Sequence, residues 1–190
     1  MSRWEPNAAS RLGVAAVELF AERGYENVTV MDIAERAGLT KRTFFRHFAD
    51  KREILFHGQD SYRDGVDTVV ANAPAAATPM ETIGAVLGAI ATGFSDDRRD
   101  LLAKRQKVIA STPELKERDL LKNAALIAAM TEALVKRGVD PSTANLAAHV
   151  GALAFSDAVQ RWLEPGNRKS MATLAEEALS RVSAAIETLN

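Results

Sequence analysis

Residues 29–51 read TVMDIAERAGLTKRTFFRHFADK. Thr29 stands three residues before Asp32, the spacing at which a hydroxyl and a carboxylate satisfy each other's backbone amides at a helix start. Val30, Ile33, Ala34 and Ala37 then recur at helical spacing. Gly38 ends this helix, Leu39 bridges, and Thr40 caps a second short one. Two short helices about a glycine-containing turn predict a helix-turn-helix, whose second helix enters the DNA major groove. Phe44 and Phe48 are four residues apart, so they share one face and can pack inward. Lys41, Arg42, Phe45 and Arg46 are left on the other faces. Arginine can bond guanine O6 and N7 together, and an apolar ring can meet a thymine methyl.

Charge supports this reading by location. The whole chain of 190 residues carries a net charge of -1. Between positions 36 and 52, Arg36, Lys41, Arg42, Arg46, Lys51 and Arg52 face a single acid, Asp50, for a local +5. A charge run alone is most often a solvated face; the motif around this one favours nucleic acid. Asp50 is expected to cap a fourth helix, from Lys51 to about Ala71. A phosphate at its start would meet both the helix amides and the Lys51 ammonium. The alternative is that Lys51 merely offsets Asp50.

Outward from this segment the pattern remains helical. Apolar residues repeat at helical spacing, no stretch alternates convincingly, and the expected fold class is all-α with about nine helices. Val14, Val17, Phe20 and Ala21 mark a first helix over Asn7–Arg23, stopped by Gly24. Residues 72–79 form a linker by composition. Thr78-Pro79 opens a fifth helix. A sixth is expected over Asp96–Ser111, and a seventh from Thr112-Pro113 to before Gly138. An eighth runs from Asp140-Pro141 to before Pro165, and a ninth follows the Ser170 cap. The expected division is a DNA-binding domain at 7–52 and a helical effector-binding and dimerisation domain at 53–190. There is no cysteine, no apolar signal-peptide core and no membrane-length apolar run, so the expectation is a cytoplasmic protein with no membrane contact.

Residues 29–51, with Phe20-Ala-Glu-Arg-Gly-Tyr25 before them, resemble the DNA-binding signature of TetR-type regulators; the similarity spans about Ala9–Leu55. The resemblance implies a three-helix DNA-binding domain, a helical ligand-binding and dimerisation domain, and repression of an operator relieved by a small molecule. Carried over by position, Thr29, Thr40, Lys41, Arg42, Thr43, Phe45, Arg46, His47 and Lys51 fall where relatives touch DNA. Relatives often carry tyrosine at the Phe45 or His47 position, with its hydroxyl on phosphate. Phe45 has no such donor, so it either packs on sugar or thymine or fills the domain core. His47 either donates to phosphate or caps a neighbouring helix.

The remaining two thirds has no comparably sharp motif. Arg98 and Arg105 lie on or beside the face set by Leu101, Leu102, Val108 and Ile109. A buried arginine needs an anionic partner, either an acid of another helix or an effector's carboxylate or phosphate. His149, near Phe155 and Trp162, is either a satisfied core or interface histidine or an effector contact. Residues 98–118 resemble an actinobacterial subgroup related to the mycofactocin regulator, which implies an acyl-CoA or another amphipathic anion as effector. The family pairs its last two long helices in a homodimer, here about Pro141–Leu163 and Met171–Leu189. The stripe Leu174, Ala178, Val182, Ala185, Leu189 fits that interface or an intramolecular face equally.

An enzyme is the rival class. The sequence has no HExxH, no nucleotide-binding glycine loop and no cysteine nucleophile, and His47, His57 and His149 are scattered. No catalytic residue, cofactor or metal is expected.

Overall fold

A computed structural model describes residues 8–188. Asn7, the expected first residue of the first helix, and Leu189, the last of the C-terminal stripe, lie outside them. The described residues are all-helical: α1 (Ala8–Arg23), α2 (Val30–Arg36), α3 (Lys41–His47), α4 (Gln59–Asn72), α5 (Pro79–Ala91), α6 (Arg99–Ser111), α7 (Pro113–Lys136), α8 (Pro141–Trp162) and α9 (Met171–Glu187). None is long and apolar enough to cross a membrane.

The helix starts follow local chemistry. Thr29 and Asp32 form a reciprocal capping box on α2, and Thr78 and Glu81 form another on α5. Thr40, Asp140 and Ser170 accept the amides of Thr43, Thr143 and Thr173 at the starts of α3, α8 and α9.

Two expected boundaries are corrected. No helix begins at Lys51. Asp50 Oδ1 accepts the amides of Arg52 and Glu53 at the head of a single 3-10 turn, Glu53–Phe56. Gly58 follows at φ +92°, a backbone angle that favours glycine. Asp96–Arg98 is likewise a 3-10 turn, and α6 begins at Arg99. The change of helical period between them rotates every later residue relative to a continuous helix. On α1, Val14 and Ala21 are exposed; the buried face is Leu12, Ala16, Leu19 and Phe20. Alanine on nearly every side of α1 makes its inward face ambiguous from spacing alone.

The chain forms two compact units. The first comprises residues up to 58 together with 100–120. The core of α1–α3 (Leu12, Phe20, Val28, Ile33, Phe44, Phe48) is continuous with Ile54, Leu55 and Phe56 of the 3-10 turn and with Val108, Ile109 and Leu115 of α6 and α7. By packing, then, residues 53–58 and 100–120 go with the helix-turn-helix.

The second unit comprises 59–99 and 121–190. Here α8 packs along α9, α5 lies against both, and α4 lies on α5. Gly151 of α8 admits this closeness, since a Cβ there would come within 2.4 Å of Ile83 Cγ2 on α5. Arg137 closes the end of α4 by donating to the carbonyls of Val70 and Ala73, each at 3.0 Å, and to that of Pro74. On α9, Leu174 and Ala178 face inward, Val182 is half-buried and Ala185 is exposed, so the first half of the stripe is intramolecular.

Candidate nucleic-acid interface

The turn between α2 and α3 is held from both sides. Gly38 adopts φ +63°, where a side chain would be strained, and Leu39 N donates to Ala34 O at 2.8 Å. From α1, the Arg11 guanidinium donates to Ala37 O at 2.5 Å. Phe44 is fully buried and Phe48 nearly so, their rings 5.3 Å apart. That orients α3: Lys41, Arg42, Arg46 and His47 are exposed, along with Thr40, and Thr43 is half-buried.

Phe45 is 50% exposed. Its ring stands edge-on to Phe44 at 5.4 Å, and the Lys41 ammonium lies 5.9 Å from its centroid. The core-filling alternative for Phe45 is therefore set aside. Thr29 is exposed, but its hydroxyl and amide both engage Asp32, holding that carboxyl below the usual aspartate range. The Thr40 hydroxyl accepts Thr43 N and meets Thr43 Oγ1 at 3.0 Å. His47 Nε2 lies 3.4 Å from an Arg46 nitrogen. Partial burial, the Arg46 charge and His57 lower its pKa from the ordinary histidine value.

The six cations of the basic segment divide into two groups. Arg36 is taken by Glu22, at 2.8 and 3.1 Å, with Glu18 at 3.8 Å. Arg52 is taken by Asp50 at 2.8 Å. Lys51 donates to Tyr25 O at 2.9 Å and Val28 O at 3.1 Å, and its ammonium lies 3.9 Å from the Tyr25 ring centroid. Neither the expected helix start nor an offset of Asp50 describes it: Lys51 clasps the α1–α2 loop. Burial and a hydrogen bond to Glu114 drive the Tyr25 pKa upward, so its phenol stays protonated beside that ammonium. Lys41, Arg42 and Arg46 remain, without an acidic partner among the described residues, on the exposed side of α3.

The residues expected at an effector site do not come together as a set. Arg98 is exposed on its 3-10 turn rather than beside the apolar face of α6. Arg105 belongs to the first unit, where it donates to Leu55 O and stacks 5.6 Å from the Phe56 centroid. His149 is exposed, with Nδ1 2.9 Å from Asn145 O, and is not a core histidine. Phe155 and the buried Trp162 are linked through Phe94, each ring edge-on to it at 5.8 and 5.5 Å. The arginine beside them is Arg99, not Arg98. Its guanidinium lies 4.7 Å from the Trp162 ring and donates to Asn167 O and Asp96. A 3-10 start for α6 was the signal that would have exchanged the two. Elsewhere in the second unit, Tyr62, Gly65, Val66 and Val69 of α4 and Val86, Ala89 and Ile90 of α5 line a cleft of about 90 Å³. Among the described residues no group of His, Cys, Asp and Glu is placed to hold a metal.

Residues 13–57 match the profile described as bacterial regulatory proteins, tetR family. The putative mycofactocin biosynthesis transcriptional regulator MftR of Mycobacterium tuberculosis is 34% identical over 100 residues, 53% of this chain and 50% of that one. The match thus spans half of that relative's length. The HTH-type transcriptional repressor KstR2 of Rhodococcus jostii is 30% identical over 180 residues, 88% of this chain and 85% of that one. Among solved structures, the SmeT–triclosan complex superposes with a TM-score of 0.66 at 20% identity, covering 93% of this chain and 90% of that one. Thermus thermophilus FadR in complex with lauroyl-CoA gives 0.56 at 21% identity, covering 92% and 93%. At such identities the two structures speak for the fold alone.

Proposed function

Because the chain belongs to the TetR family of bacterial regulatory proteins, we propose that it is a cytoplasmic transcriptional repressor that holds a near-palindromic operator as a homodimer and leaves it when a small effector binds. One observation carries the DNA half of this reading. On α3 the buried phenylalanines orient Lys41, Arg42 and Arg46 outward without acidic partners, whereas the neighbouring cations Arg36 and Arg52 are neutralised by protein acids. Unpaired cations gain most from phosphate and base edges, because no internal ion pair must be broken first.

In the proposed complex Arg42 and Arg46 read base edges and Lys41 and His47 meet phosphate. Thr29, Thr40 and Thr43 line the backbone contact, and Phe45 packs on sugar or a thymine methyl. Lys51 acts indirectly by fixing the loop before α2. The dimer forms through α8 and α9. Leu146 and Leu153, seven residues apart on α8, are 61% and 60% exposed, an apolar stripe with His149 between them. Recognition helices of the two copies then lie about 34–36 Å apart, one turn of DNA.

The effector is an amphipathic molecule, such as an acyl-CoA, whose apolar part enters the second unit. Thermus thermophilus FadR with lauroyl-CoA is a precedent within the shared fold. The α4–α5 cleft of about 90 Å³ is below the roughly 300–1,000 Å³ of ordinary ligand sites, so binding must part these helices. Of the expected anion-binding arginines only Arg98 is exposed for that role; Arg105 is engaged in the first unit. The small cleft also favours a second reading, a DNA-binding protein with a solid C-terminal unit. Fluorescence anisotropy on DNA upstream of the protein's own coding region tests both. Specific, salt-sensitive binding released by an acyl-CoA supports the repressor; binding that no member of an acyl-CoA series releases supports the second reading. Absence of specific binding overturns both.

A further inference from the structure

The Lys51 clasp is itself gripped by a helix from outside the helix-turn-helix. On the first turns of α7, Glu114 and Arg118 stand four residues apart and so share one face. Arg118 Nε donates to Glu53 Oε1 at 2.5 Å, pinning the 3-10 turn that follows Lys51. The Glu53 side chain is only 19% exposed. Glu114 meets the hydroxyl of Tyr25, the residue whose carbonyl Lys51 holds at 2.9 Å. Next to Glu114 in the chain, Leu115 is fully buried in the core that contains Tyr25, Val28 and Ile54. All these residues belong to the first unit.

The turn between α2 and α3 does not need this grip, since Gly38, Arg11 and the Phe44–Phe48 pair already hold it. What the grip sets is the place of residues 25–28. That loop delivers Thr29 to the start of α2, and Lys51 reaches both of its ends, at Tyr25 O and at Val28 O.

We propose that Glu114 and Arg118 are positioning residues for DNA binding: by holding Tyr25 and Glu53 on either side of Lys51, they fix the loop that places Thr29 at the DNA backbone. The inference rests on the DNA-binding reading of α2 and α3 and adds to it two residues that touch no DNA. Their opposite charges give the proposal a sign. Acting only through the field of the protein, loss of the acid would tighten DNA binding and loss of the base would loosen it. Positioning demands that both losses loosen it.

The test is anisotropy of the full chain on DNA upstream of its own coding region, beside hydrogen exchange without DNA. Glu114→Ala and Arg118→Ala should each weaken binding about threefold to tenfold. The salt slope should stay as in the wild type, because no phosphate contact is lost. Amides of residues 28–32 should exchange faster in both variants. Tyr25→Phe, the mildest change, should reproduce Glu114→Ala, and combining the two should cost nothing further. Glu114→Gln, which still accepts from the phenol, and Arg118→Lys, which keeps the charge, should restore most of the affinity. Tighter binding by Glu114→Ala, or a slope reduced by a full contact in Arg118→Ala, overturns the proposal. So does a lower melting temperature with the affinity of the folded variants intact, the mark of a merely structural role. If the wild-type chain itself fails to bind specifically, the DNA reading falls and this role with it; wild-type binding with unchanged variants removes this role alone.

Discussion

The ammonium of Lys51 donates to the carbonyl of Val28 at 3.1 Å, across 23 residues of chain. With the parallel bond to Tyr25 O, this ties the segment after α3 to the loop that delivers Thr29 to its capping position. A basic residue at the edge of a DNA-binding motif is thereby engaged inside the protein.

Lys51→Met should therefore lower stability by about 1.5–3 kcal/mol, the range for hydrogen bonds to charged groups. It should leave the salt dependence of DNA binding nearly unchanged, since each phosphate contact contributes a slope of about 0.9 in log–log form. Urea denaturation and anisotropy at several salt concentrations measure the two quantities. A slope reduced by a full contact with stability intact would return Lys51 to the DNA surface.

Arg42→Ala and Arg46→Ala should each cost about 1–3 kcal/mol of specific binding while leaving the melting temperature unchanged, because neither side chain has an ion-pair partner to lose. Lys41→Ala should weaken specific and random DNA alike. Gel-shift titrations against operator and scrambled duplexes separate these outcomes; equal losses on both duplexes for Arg42 or Arg46 would deny that arginine a base contact.

If His47 meets a DNA phosphate as proposed, binding should be pH-dependent in a defined direction. Burial, Arg46 and His57 depress its folded pKa, so in the free protein the unfolded chain takes up the proton more readily. The residue thus withdraws stability as pH falls through the histidine range. A phosphate beside the imidazole would favour the charged form, so DNA binding should take up a proton. Affinity should rise from about pH 8 to about pH 5.5, and His47→Gln should flatten that profile. A wild-type profile already flat would exclude the phosphate contact.

Gly151→Ala should destabilise the second unit by about 1–3 kcal/mol, because the added methyl would sit 2.4 Å from Ile83 Cγ2 and force α5 and α8 apart. Calorimetric melting reads the loss directly. An unchanged melting temperature would mean that the pair can separate without strain.

The helix-turn-helix was legible because its determinants are local. The Thr29–Asp32 box spans three residues, the Phe44–Phe48 pair spans four, and Gly38 acts at a single backbone angle, so periodicity and residue type suffice to place them. The basic surplus was equally visible, yet its division was not. Arg36 finds Glu22 across 14 residues and Lys51 finds Val28 across 23; outside that segment, Arg105 finds Leu55 across 50. No spacing rule reports such partners. Arg98 and Arg99 differ by one position, and only the 3-10 start of α6 decides which of them stacks on Trp162. Sequence by itself settled the helical class and the DNA-facing motif, since both arise from contacts within one or two turns. Tertiary structure alone decided which cations stay open to a partner and where room remains between α4 and α5, since both depend on groups far apart along the chain meeting in space.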